Sequence, residues 1–446
     1  MRIFPLTRSP PQSLINGTPT LTNKSATTIN TGKTAQETGN TPPPVTPQNT
    51  GPFSVLSLRD YRFLVLANLL TFAGYQIRSM GQAWIVLEET GSETLMGLVN
   101  MMPGVAIILI SLVGGALADR TERWQLLWRT KVVIASMALL TAILLSADLL
   151  EWWHLIPISL VTGSMFALHN PTSQAFAVDV VGKERLTSAS SLNTGISMSA
   201  NIVGPSLGGL LLILGFDTTF YALTAFYGVS AIFIYMVRTR RVPVPSGRNM
   251  FQEIGEGVSY AMHSPVIRGL LLVALSALFL GMNQPAIPVK VRDELGMGEF
   301  GYGVMISLNG VGALIGSAVL FTLGSKARKG LLLMSGMTIF NVSLIIFAIA
   351  STPFMTGFSM VLLGTAFSAW MISVPVLLQT NTEENMRGRI MSLYFMTVLT
   401  HQVGWLLGGA LIEATNVQMT LFVAVAGGTT ISGLAFILTP ALRKAR

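Results

Sequence analysis

The segment GGALADRTER at residues 114–123 closes a long apolar run with Asp119, Arg120, Glu122 and Arg123 among its last five positions. Charge is scarce elsewhere, because only 11% of the 446 residues are charged and 51% are hydrophobic. Charged residues make up about a quarter of a soluble domain. The composition therefore indicates an integral membrane protein, and we interpret the segment as the end of a membrane span with a charged loop behind it.

Apolar stretches long enough to cross a bilayer recur along nearly the whole chain after residue 60. Crossing about 30 Å of hydrocarbon takes roughly 20 helical residues. Helices are expected because lipid cannot satisfy backbone hydrogen bonds and the stretches lack the alternation of barrel strands. We predict an all-α membrane protein with twelve transmembrane helices. The predicted spans cover residues 61–87, 95–117, 125–147, 154–178, 190–214, 218–237, 266–289, 301–323, 330–350, 354–379, 389–412 and 417–440.

The distribution of basic residues predicts the orientation of these spans. With both termini cytoplasmic, every Lys and Arg except Arg78, Lys290 and Arg292 falls in an inner segment. Cytoplasmic loops carry such an excess of Lys and Arg. A pI near 9.9 is thus explained by topology, and no nucleic-acid partner is expected. We predict a multi-pass protein of a bacterial inner membrane.

Several chemical classes are excluded by what the sequence lacks. No cysteine is present, which rules out a disulfide framework, a thiolate metal site and cysteine catalysis. No phosphate-binding loop and no metal-type spacing of His, Asp and Glu appears. We therefore expect no cofactor, no bound metal and no enzymatic activity.

The chain repeats itself with a constant offset. VGPSLGGLLLILG from Val203 is matched by VGWLLGGALIEAT from Val403, and GSMFALHNP from Gly163 is more weakly echoed by GTAFSAWMISVP from Gly364. Six spans, a long basic loop and six more spans are typical of two repeats related about the membrane normal. We predict two pseudo-symmetric six-helix bundles with a binding site between them.

The predicted domains follow from this repeat. Residues 1–54 are rich in Thr, Pro, Asn and Gly and are predicted to be a disordered cytoplasmic tail. The N-terminal bundle covers 55–238, a cytoplasmic linker covers 239–265, and the C-terminal bundle covers 266–442. Residues 443–446 form a short cytoplasmic tail.

The linker carries an apolar stripe. Phe251, Ile254, Val258 and Ala261 recur at helical spacing before Pro265. This pattern predicts a short amphipathic helix at the inner membrane surface. A solvated linker without a helix is the alternative.

Gly115, Asp119, Arg120 and Arg123 spell G-x-x-x-D-R-x-x-R directly after the second span. This pattern is similar to the cytoplasmic signature of the major facilitator superfamily. Five further stretches resemble its enterobactin-exporter and macrolide-efflux branch. They are AWIVLEETGS, NPTSQAFAVDVVGKERLTSASSLN, NIVGPSLGGLL, FQEIGEGVSYAMHSPVIRGLLL and RGRIMSLYF. The resemblance spans residues 55–442 and implies a transporter whose halves rock about a central site.

The resemblance also implies a role for the opening segment. Spans two and eleven would pack together across the two halves, so that Asp119 could bind the positive end of span eleven near Met386. Thr380 and Glu383 stand before that span in capping-box spacing. Closing and opening this contact would make the segment a conformational latch.

The basic residues of the segment have a predicted partner in the same half. Arg120 or Arg123 would pair with Asp179 at the end of span four, which resembles the acid of the family, and Gly115 completes the signature. The alternative is that both arginines only anchor the topology. Trp124 stands where relatives often place a second basic residue.

Within the predicted spans, and away from their ends, the ionisable residues are Arg78, His169 and His401. A membrane-embedded arginine costs roughly 2.5–3.5 kcal/mol and usually faces protein or a wet cavity. Arg78 is therefore the leading predicted substrate contact, and its guanidinium would bind an anionic or carbonyl-rich substrate. Hydrogen bonds to backbone carbonyls near Gly74 and Gly81 are the alternative. His169 is interpreted as structural.

Polar and aromatic side chains on several spans are predicted to line the transport route, although such residues also bridge helices. They are Tyr75, Gln76, Gln82, Asn170, Gln174, Asn201, Asn283, Gln284, Asn309, Trp370, Gln379 and Gln402.

Proton coupling has one deep candidate. His401 lies roughly 16 Å into span eleven at 1.5 Å per residue, and an imidazole can carry a proton near neutral pH. Relatives often carry an acid where this chain has Tyr75. Glu88, Glu89 and Glu413 are the other candidates, and a packed core histidine is the alternative for His401.

The sequence thus predicts a proton-coupled secondary transporter that exports an amphipathic small molecule, such as a siderophore, macrolide or similar drug, by alternating access. A lipid or lysophospholipid flippase is the nearest alternative. A polytopic sensor or enzyme without transport is the second. We expect a monomer whose partners are the lipid bilayer and a small-molecule substrate.

Overall fold

The computed structural model describes residues 54–182, 185–239, 250–323, 329–383 and 386–439, with the side chains of some helical positions, including 111–120, left out. The described chain is almost entirely helical. The predicted tail at residues 443–446 and nearly all of the tail at 1–54 lie outside the described residues.

Sixteen α-helices make up the described ranges. They are α1 Arg59–Thr90, α2 Glu93–Arg120, α3 Arg123–Ser146, α4 Leu155–Val181, α5 Leu186–Ile213, α6 Phe216–Met236, α7 Met250–His263, α8 Pro265–Leu275, α9 Ala277–Met282, α10 Ala286–Val289, α11 Glu299–Leu323, α12 Lys329–Ile349, α13 Pro353–Thr380, α14 Arg387–Val398, α15 Thr400–Ala414 and α16 Val417–Leu438.

The prediction of an all-α membrane protein is confirmed. Each predicted span coincides with one helix or with an interrupted series of helices. By length and apolar composition, nine spans of the described ranges qualify as membrane-crossing. The other three predicted spans correspond to α1, α4 and α5, which are also long enough to cross a bilayer.

Two of the predicted spans are broken rather than continuous. Span seven consists of α8, α9 and α10, followed by a π-helical turn at Lys290–Glu294. Asn283 and Gln284 lie in the turn before Pro285, which has no backbone N–H to donate to a helix. Span eleven is α14 and α15, divided at Leu399.

Two bundles form around separate sets of contacts. In the first half, α1 packs on α5 and α6, and α3 packs on α4 and α6. In the second half, α11 and α12 pack on α13, while α16 packs on α8, α9 and α12. This is the predicted arrangement of two six-helix bundles.

The repeated glycines explain how the bundles resemble each other. Gly208 of α5 faces α1, where an added Cβ would lie 3.5 Å from the Cα of Ile77. Gly408 of α15 faces α9, where an added Cβ would collide with the carbonyl of Met282. Each glycine thus allows the fifth span of its half to approach the first span of the same half.

The adjacent glycines perform the same role across the two halves. An added Cβ at Gly209 would lie 3.1 Å from the carbonyl oxygen of Glu299 in α11. An added Cβ at Gly409 would collide with the carbonyl of Glu93 in α2. The second span of each half therefore packs on the fifth span of the other half, as a duplicated fold requires.

The predicted linker helix is present as α7, which packs on α8 and α14. Ala261 is buried, but Val258 is 46% exposed, so the predicted apolar stripe is only partly covered by protein. The side chains of Phe251 and Ile254 lie outside the described residues.

Candidate functional site

A cavity of about 360 Å³ lies between the two halves. Its N-terminal wall comes from α1 and α2. Its C-terminal wall comes from α9, α10 and the turn between them, together with α11, α12, α13 and α15. The predicted site residues on its wall are Tyr75, Gln76, Arg78, Asn283, Gln284, Asn309, His401 and Gln402.

Arg78 is the cation on this wall, and it is only 4% exposed. Its Nη1 donates to Oε1 of Gln82 at 2.8 Å, and its guanidinium carbon lies 5.5 Å from the centre of the Tyr75 ring. Its Nε has no hydrogen-bond partner among the described atoms. The side chain therefore keeps donor capacity, and the alternative of backbone carbonyl partners near Gly74 and Gly81 does not match these contacts.

Gln82 supports Arg78 from behind rather than lining the cavity. The Gln82 side chain is buried, donates to the carbonyl of Val99 at 3.3 Å and accepts from the hydroxyl of Ser159 at 3.0 Å. These contacts fix the amide oxygen that holds Arg78. Gln82 is thus not among the described residues of the cavity wall, and its predicted contact with substrate stays a prediction.

Three other predicted lining residues lie away from the cavity wall. Trp370 is buried in an apolar cluster, with its indole N–H 3.4 Å from the carbonyl of Val273. Asn170 and Gln174 of α4 are exposed but do not belong to the wall. The sequence could not distinguish the helix face that lines the cavity from the other faces, because a membrane helix is apolar nearly all round.

The remaining predicted residues of the transport route and the deep coupling candidate lie at three different places. Gln379 is exposed near the end of α13, where its amide lies 3.8 Å from the sulfur of Met391. The side chain of Asn201 lies outside the described residues. His401 stands in the first turn of α15, beside the break at Leu399, and is partly exposed on the cavity wall.

We call the end of the bundles where α1 ends and α2 begins the Ser92 end. Here Glu413 of α15 accepts hydrogen bonds from the hydroxyl of Ser92 at 2.7 Å and from the backbone N–H of Thr94 at 3.0 Å. Its carboxylate thus caps the positive end of α2 from the other half. Arg292 donates to the carbonyl of Leu87 at 2.7 Å, near the negative end of α1.

The remaining acidic candidates for coupling also take part in packing at the Ser92 end. Glu88 accepts from the indole N–H of Trp84 at 2.8 Å. Glu89 accepts from the backbone N–H of Trp152 at 3.0 Å. Burial raises the pKa of Glu89 above its usual value, although the hydrogen bond from Trp152 acts in the opposite direction.

We call the opposite end, where α2 ends and α3 begins, the Arg123 end. Arg123 forms an ion pair with Asp179 at 2.7 Å, which joins the start of α3 to the last turn of α4. The side chains of Gly115, Asp119 and Arg120 lie outside the described residues. Of the predicted latch, the structure therefore describes the pair within the N-terminal half.

The predicted capping box before span eleven does not form. Thr380 is the last residue of α13, and its hydroxyl donates to the carbonyl of Leu377 at 3.3 Å. Met386 precedes α14 without a side-chain cap, and its N–H donates to the carbonyl of Glu383 at 2.9 Å. The motif fails because α13 extends through the position that the cap would occupy.

Two buried lysines were missed by the sequence reasoning. Lys131, assigned to an inner charged segment, is fully buried in α3, where its Nζ donates to the hydroxyl of Thr71. Lys290, assigned to an outer loop, is also fully buried and bonds Glu294 and the carbonyl of Ala348. The signal for Lys131 was available, since it lies inside the predicted span at 125–147.

The family model described as a transmembrane secretion effector matches residues 50–445. The chain belongs to this family of major facilitator transporters. The chain is 26% identical over 388 residues to the enterobactin exporter EntS of Salmonella typhimurium, and the alignment covers 85% of this chain and 91% of the exporter. It is 24% identical over 347 residues to the staphyloferrin A transporter of Staphylococcus aureus, over 75% and 85% of the two chains.

The fold of the chain also matches that of a solved transporter. The nucleoside transporter NupG superposes with a TM-score of 0.68 at 14% identity, over 87% of this chain and all of the other. These similarities confirm the predicted superfamily and branch. The chain is a multi-pass membrane transporter of the efflux type, and it is not an enzyme.

Proposed function

We propose that the protein exports an amphipathic, anionic or carbonyl-rich small molecule, such as a siderophore, from the cytoplasm across a bacterial inner membrane. The observation that carries this proposal is Arg78 on the cavity wall. The guanidinium is almost fully buried, its Nε is unpartnered, and the described residues of the wall include no Asp or Glu to neutralise it. A substrate oxygen would supply the missing acceptor.

The polar wall opposite Arg78 suits such a ligand. Asn283, Gln284, Asn309 and Gln402 offer amides that can donate or accept hydrogen bonds. Apolar and aromatic side chains complete the lining and would cover the hydrophobic part of an amphipathic molecule. The relatives named for enterobactin and staphyloferrin A support a siderophore as the first substrate to test.

An alternating-access cycle is supported by unequal contacts between the halves. At the Ser92 end, α15 packs closely on α2 and α11 packs on α5. Towards the Arg123 end, α14 packs on α7, α8 and α13 of its own half. We infer a conformation in which the cavity opens towards the Arg123 end, which the charge distribution predicts to be cytoplasmic.

In the other conformation, the Arg123 end would close. Asp119 would then contact the first turn of α14, as the sequence signature predicts, while Glu413 would leave the first turn of α2. His401 is the proton-coupling candidate on the cavity wall, because an imidazole can both accept and donate a proton.

A transport assay tests the proposal. The purified full-length protein in liposomes, under an imposed pH gradient, would be offered a catecholate siderophore, a macrolide and a fluorescent lysophospholipid. We expect transport of the siderophore, and Arg78→Ala should weaken its apparent affinity by about 10- to 100-fold, the equivalent of a charged hydrogen bond worth about 1.5–3 kcal/mol.

The control is Arg129→Ala, which removes an exposed arginine from α3 outside the cavity wall. Its transport should match that of the unchanged protein. Transport of the lysophospholipid alone would favour the flippase. Undiminished siderophore affinity in Arg78→Ala would remove Arg78 from the site.

A further inference from the structure

A groove on the outer surface of the N-terminal bundle runs between α3 and α6. Its volume of about 410 Å³ exceeds that of the central cavity, with which it shares no residue. The apolar part of the lining is formed by Val132, Ala135 and Leu139 of α3 and by Gly228, Ala231 and Ile232 of α6. Several of these large apolar side chains are exposed, so the described residues leave the groove uncovered.

The floor of the groove is open and asks for an apolar occupant. An added Cβ at Gly228 would meet no atom within 4 Å. The two hydroxyls on the lining are satisfied within their own helices, because Ser136 donates to the carbonyl of Val132 at 3.0 Å and Thr224 donates to that of Phe220 at 2.9 Å. A hydrocarbon chain can therefore lie here without leaving a polar group unpaired.

The length of the groove corresponds to one leaflet of a bilayer. On α3 the lining runs from Trp128 to Leu139, a rise of roughly 16 Å at 1.5 Å per residue. On α6 it runs over the same length in the opposite direction, from Thr224 to Tyr235. Half of a hydrocarbon core of about 30 Å is about 15 Å. The groove thus spans the depth that one phospholipid acyl chain occupies.

Two hydrogen-bond donors stand at the Arg123 end of the groove. The rings of Trp128 and Tyr235 have centres 6.2 Å apart, and Tyr235 is 60% exposed. The indole N–H of Trp128 and the hydroxyl of Tyr235 have no hydrogen-bond partner among the described residues, whereas the neighbouring Trp124 donates to the carbonyl of Ile234 at 2.8 Å. Rings of this kind are typical of the membrane interface, where their polar ends can donate to lipid oxygens.

The charge at the same end favours an anionic headgroup. Arg129 lies one turn before Val132 on α3, is exposed and forms no ion pair among the described residues. The acids of α3 and α4 at this end have other partners, since Glu122 accepts from the Gln125 amide at 3.1 Å and Asp179 pairs with the first residue of α3 at 2.7 Å. A guanidinium binds phosphate oxygens through strong charge-assisted hydrogen bonds.

We propose that this groove binds one anionic phospholipid, such as phosphatidylglycerol, from the leaflet at the Arg123 end. One acyl chain lies between α3 and α6, and the phosphate lies at Trp128, Arg129 and Tyr235. This binding does not depend on which substrate is transported. Arg129 contacts the lipid and not the substrate, because the groove and the wall of the central cavity are separate.

A second copy of the chain fits this groove less well than a lipid does. Two copies related by an axis along the membrane normal bring identical ends together, so each Arg129 would face the same positive end of its neighbour. Like charges at such a contact cost free energy. A lipid phosphate instead neutralises Arg129.

Quenching of tryptophan fluorescence by brominated lipids tests the proposal. The full-length protein would be placed in phosphatidylcholine nanodiscs with increasing fractions of phosphatidylglycerol or phosphatidylcholine brominated on the acyl chain. The contribution of Trp128 is the difference between the unchanged protein and Trp128→Phe. Brominated phosphatidylglycerol should reach half-maximal quenching of Trp128 at a mole fraction about 10-fold lower than brominated phosphatidylcholine, the ratio expected for one charged hydrogen bond.

Two variants and their matched controls make the test specific. Arg129→Gln should abolish the difference between the two lipids, while Arg268→Gln, an exposed arginine of α8, should retain it. Gly228→Leu fills the floor of the groove and should also abolish the difference. Its control is Gly433→Leu in α16, where an added Cβ likewise meets no atom within 4 Å.

The folding of each variant is checked by its melting temperature in detergent without added phospholipid, which should equal that of the unchanged protein. If Gly228→Leu lowers it, Tyr235→Phe takes its place, because it removes only a hydroxyl. Tyr235→Phe should raise the half-maximal mole fraction of phosphatidylglycerol about 3-fold.

Three results would overturn the proposal. The first is equal quenching of Trp128 by the two lipids in the unchanged protein. The second is a preference for phosphatidylglycerol that persists in Arg129→Gln. The third is a dimer of the unchanged protein in detergent that Gly228→Leu dissociates, which would assign the groove to a second copy of the chain.

Discussion

Two aligned segments, GSMFALH at residues 163–169 and GTAFSAW at 364–370, end on a histidine in one half and on a tryptophan in the other. The ring centres of Phe166 and His169 are 6.3 Å apart, and those of Phe367 and Trp370 are 5.9 Å apart. The ring pair thus recurs in α4 and α13, while the chemistry of its last member differs.

The surroundings of the two rings also differ, because they are polar around His169 and apolar around Trp370. His169 lies in the N-terminal bundle, where Thr71, Lys131 and Ser173 are also buried. Neither nitrogen of its ring has a hydrogen-bond partner among the described atoms. Trp370 lies in an apolar cluster and directs its N–H towards the carbonyl of Val273. The ring pair therefore recurs in both halves, whereas buried titratable groups are present in the N-terminal half and apolar packing surrounds the second ring in the C-terminal half.

Removing each of the two rings should give the largest difference between the halves. Trp370→Ala should lower the free energy of unfolding by about 3–5 kcal/mol, because it leaves a large cavity. His169→Leu should change it little, because it removes a buried ring whose nitrogens are unsatisfied. Thermal unfolding of both variants in the same detergent measures the difference. Equal losses of stability would mean that the two rings play the same structural role.

Substitution of the glycines at the contacts between the halves should give the next largest loss of transport. Gly409→Ala would force a methyl group against the backbone of Glu93, and overpacking of this kind costs about 1–3 kcal/mol. Counterflow should fall about 10-fold, since closure at the Ser92 end would be hindered. Gly209→Ala meets Glu299 at a distance of 3.1 Å and should lose less.

A matched control exists in the same half. An added Cβ at Gly433 of α16 would meet no atom within 4 Å, so Gly433→Ala should retain full counterflow. A larger loss for Gly209→Ala than for Gly409→Ala would contradict the unequal packing of the two halves.

Neutralising the carboxylate of Glu413 at the Ser92 end should have a smaller effect on the contact between the halves. Glu413→Gln removes a charge from the positive end of α2, a contact worth about 0.3–2 kcal/mol. The population open at the Ser92 end should rise. Spin-label distances between α2 and α15 would measure it, and the cysteine-free sequence allows unambiguous labelling. Unchanged distance distributions would show that glycine packing alone holds this end.

The smallest expected effect concerns Arg123. Its ion pair with Asp179 is partly exposed, and such pairs contribute about 0–1 kcal/mol. Arg123→Gln should therefore shift the melting temperature only slightly, while Arg129→Gln should not shift it. A large loss of transport without a loss of stability in Arg123→Gln would instead support the latch.

The sequence was sufficient for the architecture because the membrane leaves few alternatives. Apolar run lengths placed the helices, and the repeated Gly-Gly pair indicated the duplication before its contacts were known. The position of Arg78 on the cavity wall also followed from the cost of burying a charge in lipid.

Which face of each helix lines the cavity could not be predicted from the sequence. Gln284 lies on the cavity wall while Asn170 does not, although each of these polar residues directly precedes a proline. Contacts distant in sequence, such as Glu413 with Ser92, left no local pattern. Lys131 was counted with the charged loop although it lies inside the predicted span at 125–147, and packing shows that its side chain is fully buried.

The stacking of Trp84 on Tyr302 has a practical consequence. These rings belong to opposite halves, are buried, and lie 5.6 Å apart at an angle of 24°. Separation of the halves at the Ser92 end would expose the indole to water and move its emission to longer wavelength. Trp84 is therefore an intrinsic fluorescent reporter of any such separation of the halves, and Trp84→Phe would remove that signal.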